Sequence, residues 1–526
     1  MRSSVQHTIA GAAVAFSVFA GSPVVGAAAP TSPVVATDTG PVRGVNSGTL
    51  LEFRGIPYAA APVGDLRWRP TQEAGRWHGV LDATSFGAHC PQTASPYGTP
   101  STTEDCLFLN VFTPLNTNAG RPHLLPVMFW IHGGGLVVGE SDGYDPSQLV
   151  AQDVIVVTIN YRIGELGFLA HPALAAESPN GASGNYGLLD QQAALRWVQR
   201  NARAVGGDPD NVTIFGESAG GLSVHSQLAS PLAAGLFHNA IVESGAYNLV
   251  QPSLAAAEAA GAAFAASAGC TDAATAAACL RNLSVEAILA HQSAGTMVPN
   301  LDGSVLPQTI RSAFTAGEFN RVPVIEGSNH DEWRLFVAQT EAATGTPLTV
   351  AGYIPAIAAT LGVPVPVAAV IAGVYPLAAY PSPSVALGAV GTDAVFACNA
   401  RLSSRLLTQY VPTYQYEFND PNAPMLFFPS ISFPTGAYHS SELQYIFNIL
   451  QTPVPSPGLT PVQQELSGAM VGYWTRFAQS GDPNAAGAPA WPQYGSSDQF
   501  QSLHPPIPAA STGFATDHKC AFWGIN

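Results

Sequence analysis

Val212-Thr213-Ile214-Phe215-Gly216-Glu217-Ser218-Ala219-Gly220 is the stretch on which the fold of this chain turns. Its first half is short, β-branched and apolar without clean alternation, as in a strand covered on both faces. Its second half is G-x-S-x-G, and from Ala219 to Ser230 the pattern reads as a helix. A serine held on a tight turn between strand and helix needs flanking glycines, because neighbouring backbone must pass close to it. The turn lifts the hydroxyl clear of the sheet, and the start of the helix favours negative charge beside it. Ser218 is therefore the candidate nucleophile. In a chain with 51 glycines the five-residue pattern alone is weak; the strand before it and the helix after it give it weight.

Working outward, the same grammar repeats. Val127 to Ile131 runs into His132-Gly133-Gly134-Gly135, Val154 to Ile159 is a further apolar run, Ala240 to Val242 runs into Glu243-Ser244-Gly245, and Val322 to Ile325 runs into Gly327. A helix is expected from Leu188 to about Ala204, stopped by Gly206-Gly207, and the Ala-rich segment Ala255 to Leu280 reads as helical. Strands alternating with helices predict an α/β fold with a large, mostly parallel central sheet flanked by helices. Residues 346 to 390, rich in Pro, Ala and Val, read as a helical excursion from that sheet. No internal repeat or domain boundary is evident.

A hydrolytic serine needs donors aimed at the oxygen that becomes charged. The glycines after His132 let backbone N–H groups approach a reacting carbonyl, so the donors are assigned to Gly134, Gly135 and Ala219. One such donor is worth about 3 kcal/mol of transition-state stabilisation. A phosphate cradle is the poorer reading of the loop, since no Gly-Lys-Ser/Thr ending follows. The base must be a histidine late in the chain. His439 follows the Pro434-Thr435-Gly436 turn, whereas His504 precedes two prolines and His518 lies in the charged tail, so His439 is favoured. The acid should follow a strand, and Asp331 and Glu332 both do; spacing leaves the two open.

Hydrophobic residues make up 47% of the 526 residues and charged ones 10%, enough for a large core. The net charge is −16 and Lys519 is the single lysine, which argues against nucleic acid and against stable docking on an anionic membrane. Near the N-terminus, Arg2 precedes an apolar stretch from Ile9 to about Gly21 and then Ala27-Ala28-Ala29, a pattern expected of a secretory leader cleaved near Ala29. The mature chain would then run from residue 30 to 526 and be extracellular. Export suits six cysteines with no C-x-x-C pair, which weakens any metal reading. Local closure favours Cys90–Cys106 and Cys270–Cys279, leaving Cys398–Cys520.

Several further stretches occur in order: Phe53 to Ala59, Glu104 to Val111, Asn185 to Gln191, Gly207 to Thr213, Gly216 to Gly221, Gly481 to Asn484 and Trp491-Pro492. With these the chain resembles the type-B carboxylesterase family over most of residues 34 to 525. The resemblance implies an α/β-hydrolase fold and a serine esterase that acts on small-molecule esters without metal or cofactor. It selects Glu332 over Asp331 as the acid, gives His439 as the base, implies the same three disulfides and puts Ser244 near the acid. Three departures stand out. Leu136 replaces a usual aromatic, Trp333 stands where glycine is common and so narrows the pocket, and the segment between Cys90 and Cys106 is short and lacks tryptophan. That last absence argues against choline esters, whose cation needs an aromatic face, and leaves little material for a lid. A lipase or polyester hydrolase with the same triad is the competing reading, and a non-catalytic binding protein the remote one. The apolar residues Met425 to Phe428 could line an acyl pocket or pack the core.

Overall fold

The Val- and Ile-rich runs form the middle of one eleven-stranded sheet. The structure, a computed structural model, describes residues 32–115, 123–292 and 297–525 and the isolated positions Met1, Ser4, Gln6 and Thr8. Apart from those positions, the expected leader at 1–29 lies outside the described residues. Residues 32–525 belong to one compact unit.

The strands are β1 (Val45–Asn46), β2 (Leu50–Pro57), β3 (Phe108–Pro114), β4 (Leu125–Ile131), β5 (Ile155–Ile159), β6 (Gly207–Glu217), β7 (Asn239–Glu243), β8 (Val324–Asn329), β9 (Thr413–Phe418), β10 (Phe500–Leu503) and β11 (Ala509–Ser511). Their order across the sheet is β11-β10-β9-β8-β7-β6-β4-β5-β3-β2-β1. From β10 to β5 all neighbours are parallel; β11 at one edge and β3, β2 and β1 at the other pair antiparallel. The sheet is thus large, mostly parallel and flanked by helices, the α/β-hydrolase architecture. Side chains of a strand alternate between its two faces, so Val127, Phe129 and Ile131 enter one core while Met128 and Trp130 enter the other. Burial on both faces is why these runs lack a polar alternation.

The helix expected after Ser218 spans Ala219–Ala229, and the one expected from Leu188 spans Tyr186–Asn201. The Ala-rich segment is helical, in two helices, Leu254–Ser267 and Ala276–Arg281, with Gly269 at φ 85 between them. The excursion between β8 and β9 is helical, including Tyr353–Leu361, Val365–Val374 and Pro383–Gly391. Disulfides join Cys90–Cys106, Cys270–Cys279 and Cys398–Cys520. Among the described residues no single helix is long and apolar enough to cross a membrane.

Candidate active site

In an open parallel sheet, ligands collect outside the carboxyl ends of the strands. Here β6 ends into Ser218, β7 into Ser244, β8 into the turn carrying Glu332, and β4 into the glycine loop. Ser218 has φ 55 and ψ −118, a conformation that L-residues avoid and that the fold must enforce. Its N–H donates to the Glu243 carbonyl at 2.8 Å, anchoring the turn to the neighbouring strand. A Cβ at Gly220 would fall 1.9 Å from the Ile131 carbonyl oxygen, so only glycine lets the helix start this close to β4. Ser218 itself is partly exposed, unlike the buried residues on either side.

His439 Nδ1 and Glu332 Oε2 lie 2.6 Å apart, and His439 is nearly fully buried. The other oxygen of Glu332 accepts the Ser244 hydroxyl at 2.6 Å and the Asn329 N–H at 2.8 Å. Asp331, left open by spacing, turns away: it pairs with Arg334 at 2.8 Å and with His330 at 3.0 Å, and accepts the Ala437 N–H. Geometry thus separates the two acids. His439 Nε2 makes no hydrogen bond, to Ser218 or to any other group. It stands 3.2 Å from Glu217 Oε1. Ser218 and His439 line the same cavity, of about 900 Å³.

The glycine loop also borders that cavity through Gly133, Gly134 and Gly135. It is held by its carbonyls: Val137 and Val138 N–H donate to Gly134 O, and Met297 N–H to Gly135 O. His132 is stacked on Tyr161 with centroids 4.4 Å apart, and Tyr161 OH donates to the His132 carbonyl at 2.7 Å. Burial pushes the His132 imidazole down to about 4, so it serves as a neutral brace. Ala219 is fully buried and opens the helix directly after Ser218. Leu136, in place of an aromatic, is fully buried in the core at φ 59, so this departure does not reshape the cavity wall. The short Cys90–Cys106 segment, by contrast, supplies Tyr97 to the wall, 5.0 Å from the ring of Phe427. Leu426 and Phe427 line the cavity, and Phe428 is buried.

The sequence reading missed a cage of buried carboxylates. Burial, with the charges of Glu332 and Glu243, holds the Glu217 carboxyl well above the ordinary range. Burial raises Glu243 to about 8, although it accepts Trp474 Nε1 at 3.0 Å. Glu442 is raised by burial and by Glu217, Glu243 and Glu332, and it accepts Asn329 Nδ2. A hint was present, since Glu217 is the second residue of G-x-S-x-G and ends the apolar strand β6. His518, considered as a base, is a structural cation between Asp393 and Glu417. Among the described residues, His89, Glu140 and Asp142 bring metal-type donors within 4.8 Å of one another. Hydrogen bonding to Asp142 raises the His89 imidazole above its ordinary value.

The carboxylesterase family model matches residues 31–523. Cocaine esterase of Homo sapiens is 34% identical over 545 residues, covering 94% of this chain and 91% of that protein. Para-nitrobenzyl esterase of Bacillus subtilis (strain 168) is 35% identical over 486 residues, covering 88% and 93%. Fumonisin B1 esterase of Sphingopyxis macrogoltabida is 42% identical over 315 residues, covering 59% and 58%.

Proposed function

Because the chain belongs to the carboxylesterase family and is a carboxylic ester hydrolase, we propose that it is a secreted serine esterase working through Ser218, His439 and Glu332. His439 takes the Ser218 proton as the hydroxyl oxygen attacks the ester carbonyl. The oxyanion forms against the N–H groups of Gly134, Gly135 and Ala219. His439 then protonates the leaving alcohol, and the same imidazole activates the water that frees the acid from the acyl-enzyme. Glu332 fixes the imidazole and stabilises its charged form.

One observation carries this reading: His439, paired with the buried Glu332 at 2.6 Å, lines the same cavity as the strained, partly exposed Ser218. A serine–imidazole hydrogen bond that is absent in the unliganded enzyme and closes around substrate is ordinary for such sites. Ser218→Ala tests it on p-nitrophenyl butyrate: hydrolysis falls below a thousandth of wild type while the protein stays folded. Retained turnover, or failure of an organophosphate to label Ser218, overturns it. Secretion is supported by the Ile9–Gly21 apolar stretch with Ala27-Ala28-Ala29 and by the three disulfides; exported protein beginning at Pro30 is the check.

A specific feature favours an insoluble ester as a second substrate class. Residues 342–392 contain no charged side chain, and within them Val350, Val365 and Val370 are 70%, 55% and 65% exposed. Exposed apolar side chains in an uncharged segment suit contact with a lipid or polyester phase. Activity that jumps above the solubility limit of a triglyceride supports this reading; a smooth saturation curve excludes it.

A further inference from the structure

One wall of the cavity is aromatic and extends outward from the imidazole. The rings of Phe396 and Phe336 lie 4.8 and 5.3 Å from that of His439 and are nearly parallel to each other, 10° between planes. Trp333 forms the next layer, 4.6 Å from Phe336 and 6.3 Å from Phe396. All three line the cavity. Trp333 is seated against Gly391. A Cβ at Gly391 would fall 2.0 Å from Trp333 Cγ, so the indole occupies space that only a glycine leaves free. The Trp333 N–H donates to Thr392 Oγ1 at 3.0 Å. Thr392 opens the π-helical turn Thr392–Ala397 that carries Phe396, and such turns recur at functional sites. The indole and the nearer ring are thus braced by the same short segment.

We propose that Trp333, seated on Gly391, is the specificity-determining residue that sets how long an apolar ester arm the cavity accepts past His439. The proposal rests on Ser218 and His439 being the reacting pair, since the arm is measured from them. An apolar pocket discriminates one methylene by about tenfold or more. An indole seated beyond the two phenyl rings therefore acts as a ruler: an arm that stops short of it binds, and one carbon too many meets its face.

The test uses wild type, Trp333→Ala and Trp333→Phe on two series: p-nitrophenyl esters of increasing acyl length, and butyrates of increasing alcohol length. In one series only, the ratio of kcat/KM for the longest to the shortest ester rises about tenfold or more in Trp333→Ala, with Trp333→Phe between. This ratio does not depend on the fraction of protein that folds. Gly391→Ala, which drives the indole from its seat, moves the ratio in that same series. Unchanged ratios in both series overturn the proposal, and so does a parallel change in both, which marks general loosening. Ser218→Ala in the same assays separates the two ideas: residual turnover there sinks the reacting pair, whereas a dead Ser218→Ala beside unaltered Trp333→Ala ratios sinks the ruler alone.

Discussion

Ser244 donates its hydroxyl to Glu332 Oε1 at 2.6 Å, so the carboxylate that faces His439 is gripped from behind. Ser244 follows β7 at φ 52, and its N–H donates to the Gly327 carbonyl at 2.9 Å. The sheet itself thus aims this hydroxyl across from one strand end to the next. Hydrogen bonds to charged groups are worth about 1.5–3 kcal/mol. Ser244→Ala leaves the Asn329 N–H as the remaining donor on that oxygen. We expect kcat on a soluble nitrophenyl ester to fall about tenfold, equivalent to about 1.4 kcal/mol, with KM nearly unchanged. A variant with wild-type kcat would show that Glu332 is held well enough without it.

Gly134 has φ 95, and a Cβ there would fall 2.1 Å from the Val138 carbonyl oxygen. An alanine must therefore shift the loop whose N–H groups are assigned to the oxyanion. Gly134→Ala should lower kcat by about a hundredfold or more, the scale for loss of a single oxyanion donor. Because the loop borders the cavity and lies outside the sheet, the thermal midpoint should move little. Steady-state kinetics beside a melting curve decide it: a large drop in midpoint with a modest kinetic effect would place the role of Gly134 in stability.

The parts of the fold that were legible share one property: their residues speak for themselves locally. Val127 to Ile131 and Val154 to Ile159 announce buried parallel strands, and the glycines around Ser218 announce the turn, because crowding there is a matter of adjacent backbone. Where the Ala-rich segment breaks was not legible, because Gly269 looks tolerable in a run of helix formers. The carboxylate cage of Glu217, Glu243 and Glu442 was illegible for another reason. Burial of a charge depends on strands and loops far apart in the chain, and no local pattern records it. The aromatic wall behind His439 is of the same kind, assembled from Phe336 after β8 and Phe396 before β9.

His518 is buried between Asp393 Oδ1 at 2.7 Å and Glu417 Oε1 at 2.6 Å. Burial alone would push its imidazole down, but hydrogen bonds with both carboxylates, and then their charges, carry it up to about 10. In the unfolded chain it titrates near 6.5. The folded value is the higher one, so the stabilisation is fully present below about pH 6.5 and is lost as pH rises towards 10. His518→Gln leaves two buried carboxylates without their cation, at a cost of about 3–5 kcal/mol. Urea midpoints at pH 6, 8 and 10 should show the gap between wild type and variant closing as pH rises. A gap independent of pH would mean that the imidazole is not charged in the folded protein.

The disulfides allow a prediction that depends on chain length and not on the active site. Cys398–Cys520 closes a separation of 122 residues, Cys270–Cys279 one of 9. If a cross-link acts by restricting the unfolded chain, the longer loop stabilises more, by about 2 kcal/mol for this ratio of lengths. Cys398 also begins the helix Cys398–Leu407 directly after the π-helical turn that carries Phe396, so its tether to the C-terminal segment steadies one wall of the cavity. Paired serine variants, Cys398→Ser with Cys520→Ser and Cys270→Ser with Cys279→Ser, should therefore differ in two ways. The first pair loses more in denaturant midpoint, and it alone loses discrimination between short and long esters. Equal losses of stability would argue that native-state contacts, and not loop closure, dominate both bridges; intact discrimination in the first pair would show that the wall stands without its tether.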